Sequence, residues 1–498
     1  MGIELKSAGT PVIELMVLTT AVGDKIDIST QLVNLVLFED IFSPVLNGEI
    51  TVADNIGLFD HLPISGNETL TVKFYSYGYS TQNTPVNFIH RTFDILKVTD
   101  ITLPTDYMKK YTLSFASPEL KKNETIKISK SYPETTISNV IATLMTEDYD
   151  NEENEPRGLG FPDTPPKEFG PGFSHFRSSF LGEDSVEAQF ENVDKDNSVE
   201  VFIEKTKYKE PFITIPYMKP FEIIKWLSTR AIRNALGRTN SNAANFMFFE
   251  NKRGFQFVSL NTLLENKGPD LPIFAFGNAK QNLERPWEIN RIENIRIENC
   301  YNILSNIKNG IYSSRLYTYE LSTGLVKEKD YDYLEAFEQN ETVDRGDGAD
   351  FPTLKVDSDN KNPLTTKPLS KRMLLPIGHV RELDNITSGS TQRFSEAKPD
   401  VGSEEYLQAR ISQLSKLVDF RIMVEISANS EHKVGDLINL DLQMWGMDDN
   451  LNVAGIKIKP HKYYNGNYLI TSIKHILTNF QYKMQIELAK DSLKAKIG

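Results

Sequence analysis

The side chains that could carry chemistry in this 498-residue chain are seven histidines, one cysteine and 68 carboxylates, and their spacing carries little. His61, His90, His175, His379, His432, His461 and His475 include no i, i+4 pair, the spacing that sets two imidazoles on one helical face around zinc. There is no Gly-x-Ser-x-Gly elbow, no phosphate loop and no Gly-x-Gly-x-x-Gly between a strand and a helix. Cys300 has no second cysteine for a disulfide or a cysteine-based metal centre, and it reads as a structural residue rather than a nucleophile. Glu404-Glu405, Asp448-Asp449 and Glu152-Glu153 are the carboxylate pairs that acid/base catalysis would draw on, but adjacent acids on polar segments read as surface charge. Asp344, Asp347, Asp350, Asp357 and Asp359 suggest a calcium loop, yet their spacing fits no EF-hand and they read as a solvated acidic loop. The expectation is no catalytic residues, no bound cofactor and no metal site, which points to a structural or assembly protein.

The elements that would position any site are mostly strands. Val12–Leu18, Leu32–Phe38, Glu49–Asp54, Leu70–Tyr75, Thr92–Val98 and Lys110–Phe115 are short, β-prone and bounded by turn residues, a pattern of sandwiches and barrels. A short helix is expected over Ile56–Leu62. After Pro118 the period changes: Ile137, Val140, Ile141 and Leu144 share one helical face. The stretch 147–195 is acidic and rich in Pro and Gly and is expected to be a long loop. Pro220 opens a helix carried by Phe221, Ile224, Leu227 and Ala231, with Gly237 as its end. Asn245–Glu250, the turn NKRG and Phe255–Leu260 form a hairpin whose phenylalanines read as core, with an aromatic base-stacking platform as the lesser alternative. Glu288–Glu298 fits neither period. Ile303, Leu304 and Ile307 predict a short helix ended by Asn309-Gly310, and Leu316–Leu321 a strand. Residues 338–402 are polar around an apolar island, Met373–Ile377; a helix from Ser403 follows, and Phe420–Ser427, Leu437–Gln443, Tyr468–Ile473 and Tyr482–Leu488 are again strands.

The two β regions resemble each other. Phe93, Ile95, Val98 and Ile101 align with Tyr468, Ile470, Ile473 and Ile476, and Tyr111, Leu113 and Phe115 with Tyr482, Met484 and Ile486. LNGEITV at Leu46–Val52 matches KVGDLINL at Lys433–Leu440 more loosely. On pattern alone, duplication and chance similarity both stand.

Charge and leader signals narrow the class. Lys plus Arg number 55 against 68 acids, a net charge of −13 that disfavours a phosphate grip. The opening MGIELKSAGT lacks the pattern of a secretory signal, and no apolar run is long enough to cross a membrane, so a cytosolic setting is expected.

Three segments carry a family resemblance. LVNLVLFEDIFSPVLNGEITVADNIGLFDHLPISGNETLTVKFYS resembles the opening of the baseplate hub proteins of contractile-tailed bacteriophages. KPFEIIKWLSTRA with FMFFENKRGFQFVSLNTLL is similar to that family's middle region, and YNGNYLITSIKHILTNFQYKMQIELAKDSL to its closing hairpin. The resemblance implies an α+β, mainly β chain with two tail-tube-like β-barrel domains, an intervening α/β domain and long polar insertions. The implied division is barrel 1 at 1–118, a middle domain at 119–286 holding the acidic loop 147–195, barrel 2 from 287–335 plus 418–493, and a polar insertion with one helix at 336–417. It also implies a non-enzymatic homotrimer whose six barrels form a pseudo-sixfold ring with an axial channel for DNA, in a virion baseplate assembled in the host cytoplasm. Implied partners are tail-tube or tube-initiator proteins, the trimeric central spike, and tape-measure and wedge proteins, with neither specific nucleic-acid binding nor membrane insertion. A hub of a related bacterial contractile injection system and a β-rich carbohydrate-active enzyme are the alternatives.

Overall fold

The structure, a computed structural model, describes residues 9–21, 23–58, 64–76, 88–105, 107–146, 149–150, 155–156, 159, 167–169, 200–234, 244–265, 271–276, 290–300, 302–320, 326–367, 371–377, 403–442 and 461–497. Residues 59–62 of the expected helix Ile56–Leu62 and most of the stretch 147–195 lie outside these residues.

The first region is β as expected: β1 (Pro11–Thr19), β2 (Lys25–Asp27), β3 (Leu32–Asp40), β4 (Asn47–Asp54), β5 (Thr69–Ser76), β6 (Ile89–Thr105) and β7 (Met108–Ala116). In β5 the cause is plain: Leu70, Val72 and Phe74 are buried while Thr69, Thr71 and Lys73 are half-buried, a period of two. Gly48 of β4 is required by packing. A Cβ there would lie 2.2 Å from the Val36 carbonyl oxygen and 2.6 Å from the Phe115 ring. Gly48→Ala should therefore cost about 2–3 kcal/mol by overpacking, with partial recovery from a second change, Phe115→Leu, read in urea denaturation.

The middle region holds α1 (Pro118–Thr125), β8 (Ile128–Thr136), α2 (Ile137–Thr146), the short β9 (Tyr149–Asp150), β10 (Glu155–Pro156) and β11 (Lys167–Phe169), then β12 (Glu200–Glu204), β13 (Lys209–Met218), α3 (Pro220–Ser228), β14 (Phe246–Asn251), β15 (Gly254–Ser259) and α4 (Leu260–Glu265). Pro220 opens α3, and the Asn123 side chain accepts the Phe221 N–H at 2.8 Å. The helix ends at Ser228, short of the expected Gly237. Ala231 and Arg230 close the last turn on Leu227, and the chain then bridges Thr206 through Arg233. The Arg233 guanidinium, buried between Glu204 at 2.8 Å and Glu265 at 2.6 Å, fixes that exit. The phenylalanines of the β14–β15 hairpin are core, Phe246 stacking on Phe257 at 4.7 Å.

The last region runs β16 (Ile273–Ala275), β17 (Ile292–Cys300), α5 (Ile303–Asn309), β18 (Ser313–Glu320), β19 (Val326–Asp332), α6 (Tyr333–Gln339), β20 (Phe351–Pro352), β21 (Arg372–Ile377), α7 (Ser403–Asp419), β22 (Phe420–Ser427), β23 (Leu437–Asp441), β24 (Gly466–Leu477), β25 (Tyr482–Ala489) and β26 (Ser492–Leu493). Asn302 caps α5 through the Ser305 N–H, and Gly310 at φ 74° ends it. The apolar island Met373–Ile377 becomes β21, parallel to β18. Within the expected second barrel one correction follows. Only β17 of 287–335 joins the large sheet; β18 and β19 pair with β21 as a separate sheet over their own core of Tyr312, Tyr331, Tyr333 and Phe337. Those tyrosines pack against the insertion's helices, so the pair belongs with the insertion.

The chain is mainly β. One 13-stranded sheet runs β17-β22-β25-β24-β3-β4-β7-β6-β5-β1-β2, with β23 on β24 and β16 on β23. A single hydrophobic core underlies both ends of it and takes in β14, β15 and α4.

Candidate functional site: a strand junction between two repeated sheets

The large sheet contains one five-strand arrangement twice. Numbered along the chain, β3 to β7 lie side by side as β3-β4-β7-β6-β5, and β17 with β22 to β25 as β17-β22-β25-β24-β23. The registers also agree. The β6–β7 ladder pairs Asp94 with Ala116 and Ile95 with Phe115, skips Leu96, and resumes at Lys97 with Ser114. The β24–β25 ladder pairs Leu469 with Ala489 and Ile470 with Leu488, skips Thr471, and resumes at Ser472 with Glu487. Likewise Val33 is skipped between β3 and β4, and Glu293 between β17 and β22. A bulge is a position-specific feature of a strand pair, so two coincident bulges argue far more than shared alternation. The turns before β5 and β23 match too: Glu68 accepts the Ser65 N–H at 2.7 Å, and Asp436 accepts the Lys433 N–H at 3.2 Å. The sixth strands differ, since β1 is antiparallel to β5 whereas β16 is parallel to β23.

The sequence alignment of β6 with β24 holds at Phe93, Ile95 and Val98, but a further bulge between Thr99 and Thr102 puts Thr102, not Ile101, where Ile476 stands. That of the following strand is displaced by two, because Leu113 stands where Ile486 does rather than Met484. The looser match is wrong: Leu46–Val52 belongs to β4, which pairs with β7, and its counterpart is β22 rather than β23.

The two halves meet strand to strand. One edge of β24 carries β23 along Gly466–Leu469 and then β3 along Ser472–Leu477. Glu39 of β3 is buried in this junction, with His475 Nε2 at 3.4 Å from its Oε1 and the Val434 N–H donating to its Oε2 at 3.3 Å. Burial, with the Glu39 charge behind it, pushes the Tyr482 hydroxyl well above its usual range. That hydroxyl therefore stays protonated and shares a hydrogen bond with His475 Nδ1 at 2.7 Å.

The β14–β15 hairpin brackets the junction. Glu250 accepts from the Leu46 N–H at 2.9 Å and the Ser117 hydroxyl at 2.5 Å, both in the first half. Asn251 donates to the Val434 carbonyl at 3.3 Å, and Lys252 donates to the carbonyls of Ser430 and Glu431, all in the second half. Burial, reinforced by Glu119, pushes the Glu250 carboxyl up to about 7, against the Arg91 charge and its own two donors. Burial likewise holds the Lys252 ammonium down at about 7. The folded chain thus keeps the Glu250 proton to about pH 7, while an unfolded chain releases it near the ordinary 4.5. Its stabilising contribution is full below about 4.5 and is lost as pH rises through 7. Glu250→Gln should flatten the stability curve over that window, by on the order of 3 kcal/mol between its ends. Urea midpoints at pH 5 and pH 8 check this.

The acidic loop is not solvated where it begins. Asp344 is 0% exposed and holds Lys490 Nζ at 3.0 Å, the Asn467 N–H at 3.0 Å and the Ser492 hydroxyl at 3.2 Å. It fastens the insertion to the end of the second half, beside β20 paired with β26. Asp357 and Asp359 lie in an exposed turn, as read from sequence. His61, His175, His379, Asp448-Asp449 and Glu152-Glu153 lie outside the described residues, and of the Glu404-Glu405 side chains nothing is described. His432 is buried against Asn290 at 2.9 Å. Among the described residues no group of histidines, cysteines and carboxylates could hold a metal ion, and no helix is long and apolar enough to cross a membrane. Glu39, Glu250 and Lys252 were not singled out from sequence; the only local trace is a charge pair inside the apolar run FMFFENKRGF.

No family model matches the chain. It is 21% identical over 473 residues to the probable baseplate hub protein gp334 of Vibrio phage KVP40, covering 93% of this chain and 91% of that one. Among solved structures, the tail protein from Neisseria meningitidis MC58 is 8% identical with a TM-score of 0.43, covering 96% of each chain. The 43 kDa tail protein of prophage MuSo2 from Shewanella oneidensis is 8% identical with a TM-score of 0.43, over 96% of this chain and 98% of that one. The E. coli c3393 protein, a type VI secretion component with structural similarity to the T4 tail proteins gp27 and gp5, is 7% identical with a TM-score of 0.37, over 98% of this chain and 78% of that one. Over nearly its whole length, the chain is similar to a probable phage baseplate hub protein.

Proposed function

We propose that this chain is the central hub of a phage tail baseplate, a homotrimer whose two sheet halves act as two tube-like barrels. Three chains then present six barrels, which adapts a sixfold tail tube to a trimeric spike around an axial channel. The observation that carries this reading is the repeated strand order with its two coincident bulges. The bridge from Ala275 back to Arg291, which leads β16 toward β17, favours closure of the second half into a barrel. The proposed division is a first barrel up to Ala116, a middle domain to about residue 265, a second barrel from β16, β17 and β22 to β25, and an insertion between β17 and β22. A charge of −13 per chain suits a conduit that DNA passes without adhering.

The same reading makes the role structural rather than enzymatic, with tube proteins, spike, tape measure and wedge proteins as partners in the baseplate. Purified protein incubated with peptidoglycan should release no reducing ends. Glycan cleavage abolished by one carboxylate substitution would overturn the non-enzymatic reading. The ring itself is tested by imaging: averaged top views should show six lobes in three equivalent pairs around a hole.

A further inference from the structure

We propose that the turn of the β14–β15 hairpin, Glu250 to Lys252, sets the angle between the two sheet halves, which makes the middle domain the keystone of the chain. The proposal concerns a single chain and stands apart from the ring reading. Among the described residues the halves share one backbone ladder, Leu35–Asp40 of β3 against Leu477–Ser472 of β24. One ladder does not choose one angle, because the twist between neighbouring strands ranges over about −10 to −35°. A half-sheet of five strands is about 20 Å wide at about 4.8 Å per strand, so that range carries its far edge through about 8 Å. A fixed angle needs further contacts away from the seam.

Asn251 touches both halves by itself. Its carbonyl accepts from the Arg91 guanidinium of β6 at 3.2 Å, and its side-chain amide donates to the Val434 carbonyl at 3.3 Å. It is 0% exposed, and its Oδ1 accepts the Arg253 N–H at 3.0 Å and the Gln256 amide at 3.3 Å, which fixes the direction of the side chain. On one side of it Glu250 holds Leu46 and Ser117 of the first half. On the other, Lys252 holds the Ser430 and Glu431 carbonyls of the second. The Ser430 N–H donates in turn to the Ser76 hydroxyl at the end of β5, at 2.9 Å, so the first half reaches the same loop. All these groups are buried, where a bond left unmade is not replaced by water. Packing holds the hairpin from both sides. Met247, Phe249 and Val258 lie in the core beneath the large sheet, while Phe246, Phe255 and Phe257 lie in the core of the middle domain. The turn is therefore anchored in a third body and grips each half from there.

Pulsed electron-spin distances between nitroxide labels read the angle. In a Cys300→Ser background, Glu49→Cys on β4 with Asn294→Cys on β17 spans the halves, and Glu49→Cys with Lys25→Cys on β2 stays within the first; all three positions are exposed. Labelled chain is mixed with excess unlabelled chain, so each distance is read within one copy whatever the oligomeric state. The parent should give one narrow distance for each pair. Asn251→Ala and Lys252→Met should each broaden or shift the spanning distance, by up to about 8 Å, and leave the other unchanged. Lys252→Met keeps the turn filled by a side chain of similar length, and it carries the test if Asn251→Ala does not fold. Glu250→Gln keeps an acceptor for both of its bonds and should leave both distances as in the parent. A spanning distance unchanged in Lys252→Met would show that the seam alone sets the angle, and would overturn the proposal. Broadening of both distances would overturn it too, since the turn would then be stabilising the halves themselves. Trimer formation does not enter the readout, so the keystone and the ring can fail separately.

Discussion

Ile473→Asp is expected to leave no folded protein, whereas Val98→Asp, at the matching position of the other half, is expected to leave a folded monomer that does not assemble. Ile473 is 1% exposed and stands opposite Glu39 in the junction. An aspartate there loses the burial of a large apolar side chain and places a second carboxylate beside a buried one. Together these cost more than about 5 kcal/mol, a large part of any domain's stability. Val98 is half-buried and only partly packed on the main core, beside a stretch of β6 that no described strand pairs with on one side, so its aspartate keeps part of its hydration in the monomer, costs about 1–3 kcal/mol there, and burdens that edge on assembly. Circular dichroism separates the first outcome from the second, and sedimentation reads the second. Two folded monomers, or two folded trimers, would contradict the account of the edges.

Asp344→Ala carries the second large effect, a loss of about 3–5 kcal/mol, because it leaves the Lys490 ammonium buried without its counter-charge. Burial already holds the Lys490 pKa down, so the pair survives on Asp344 and on the two further hydrogen bonds that Asp344 accepts. Asp344→Leu combined with Lys490→Met should recover much of the loss, since an apolar pair needs no partner. Thermal melts of the two single variants and the double form the cycle. Single variants no less stable than the parent would show that the insertion is fastened elsewhere.

How far the sequence could be read follows from what each signal encodes. Alternation of Leu70, Val72 and Phe74 is local, so strands and the β14–β15 hairpin were legible. The register of the repeat was half legible. A period-two pattern is unchanged by a shift of two, so Tyr111, Leu113 and Phe115 could slide against their counterparts while Ile95 and Val98 could not slide without breaking the bulge at Leu96. The counterpart of β4 was hidden because residues 301–419 intervene between β17 and β22. The site was the least legible part. Glu39, Glu250, Lys252 and Asp344 look like surface charge in any short window, and only tertiary partners far along the chain make them buried clasps.

Sedimentation equilibrium of the purified chain, carried from dilute to the highest concentration reached, tests the trimeric hub most directly. The account predicts one assembled species of three times 56.6 kDa, about 170 kDa, with no growth beyond it. A single 56.6 kDa species throughout, a two-chain particle, or mass that rises without limit would contradict it.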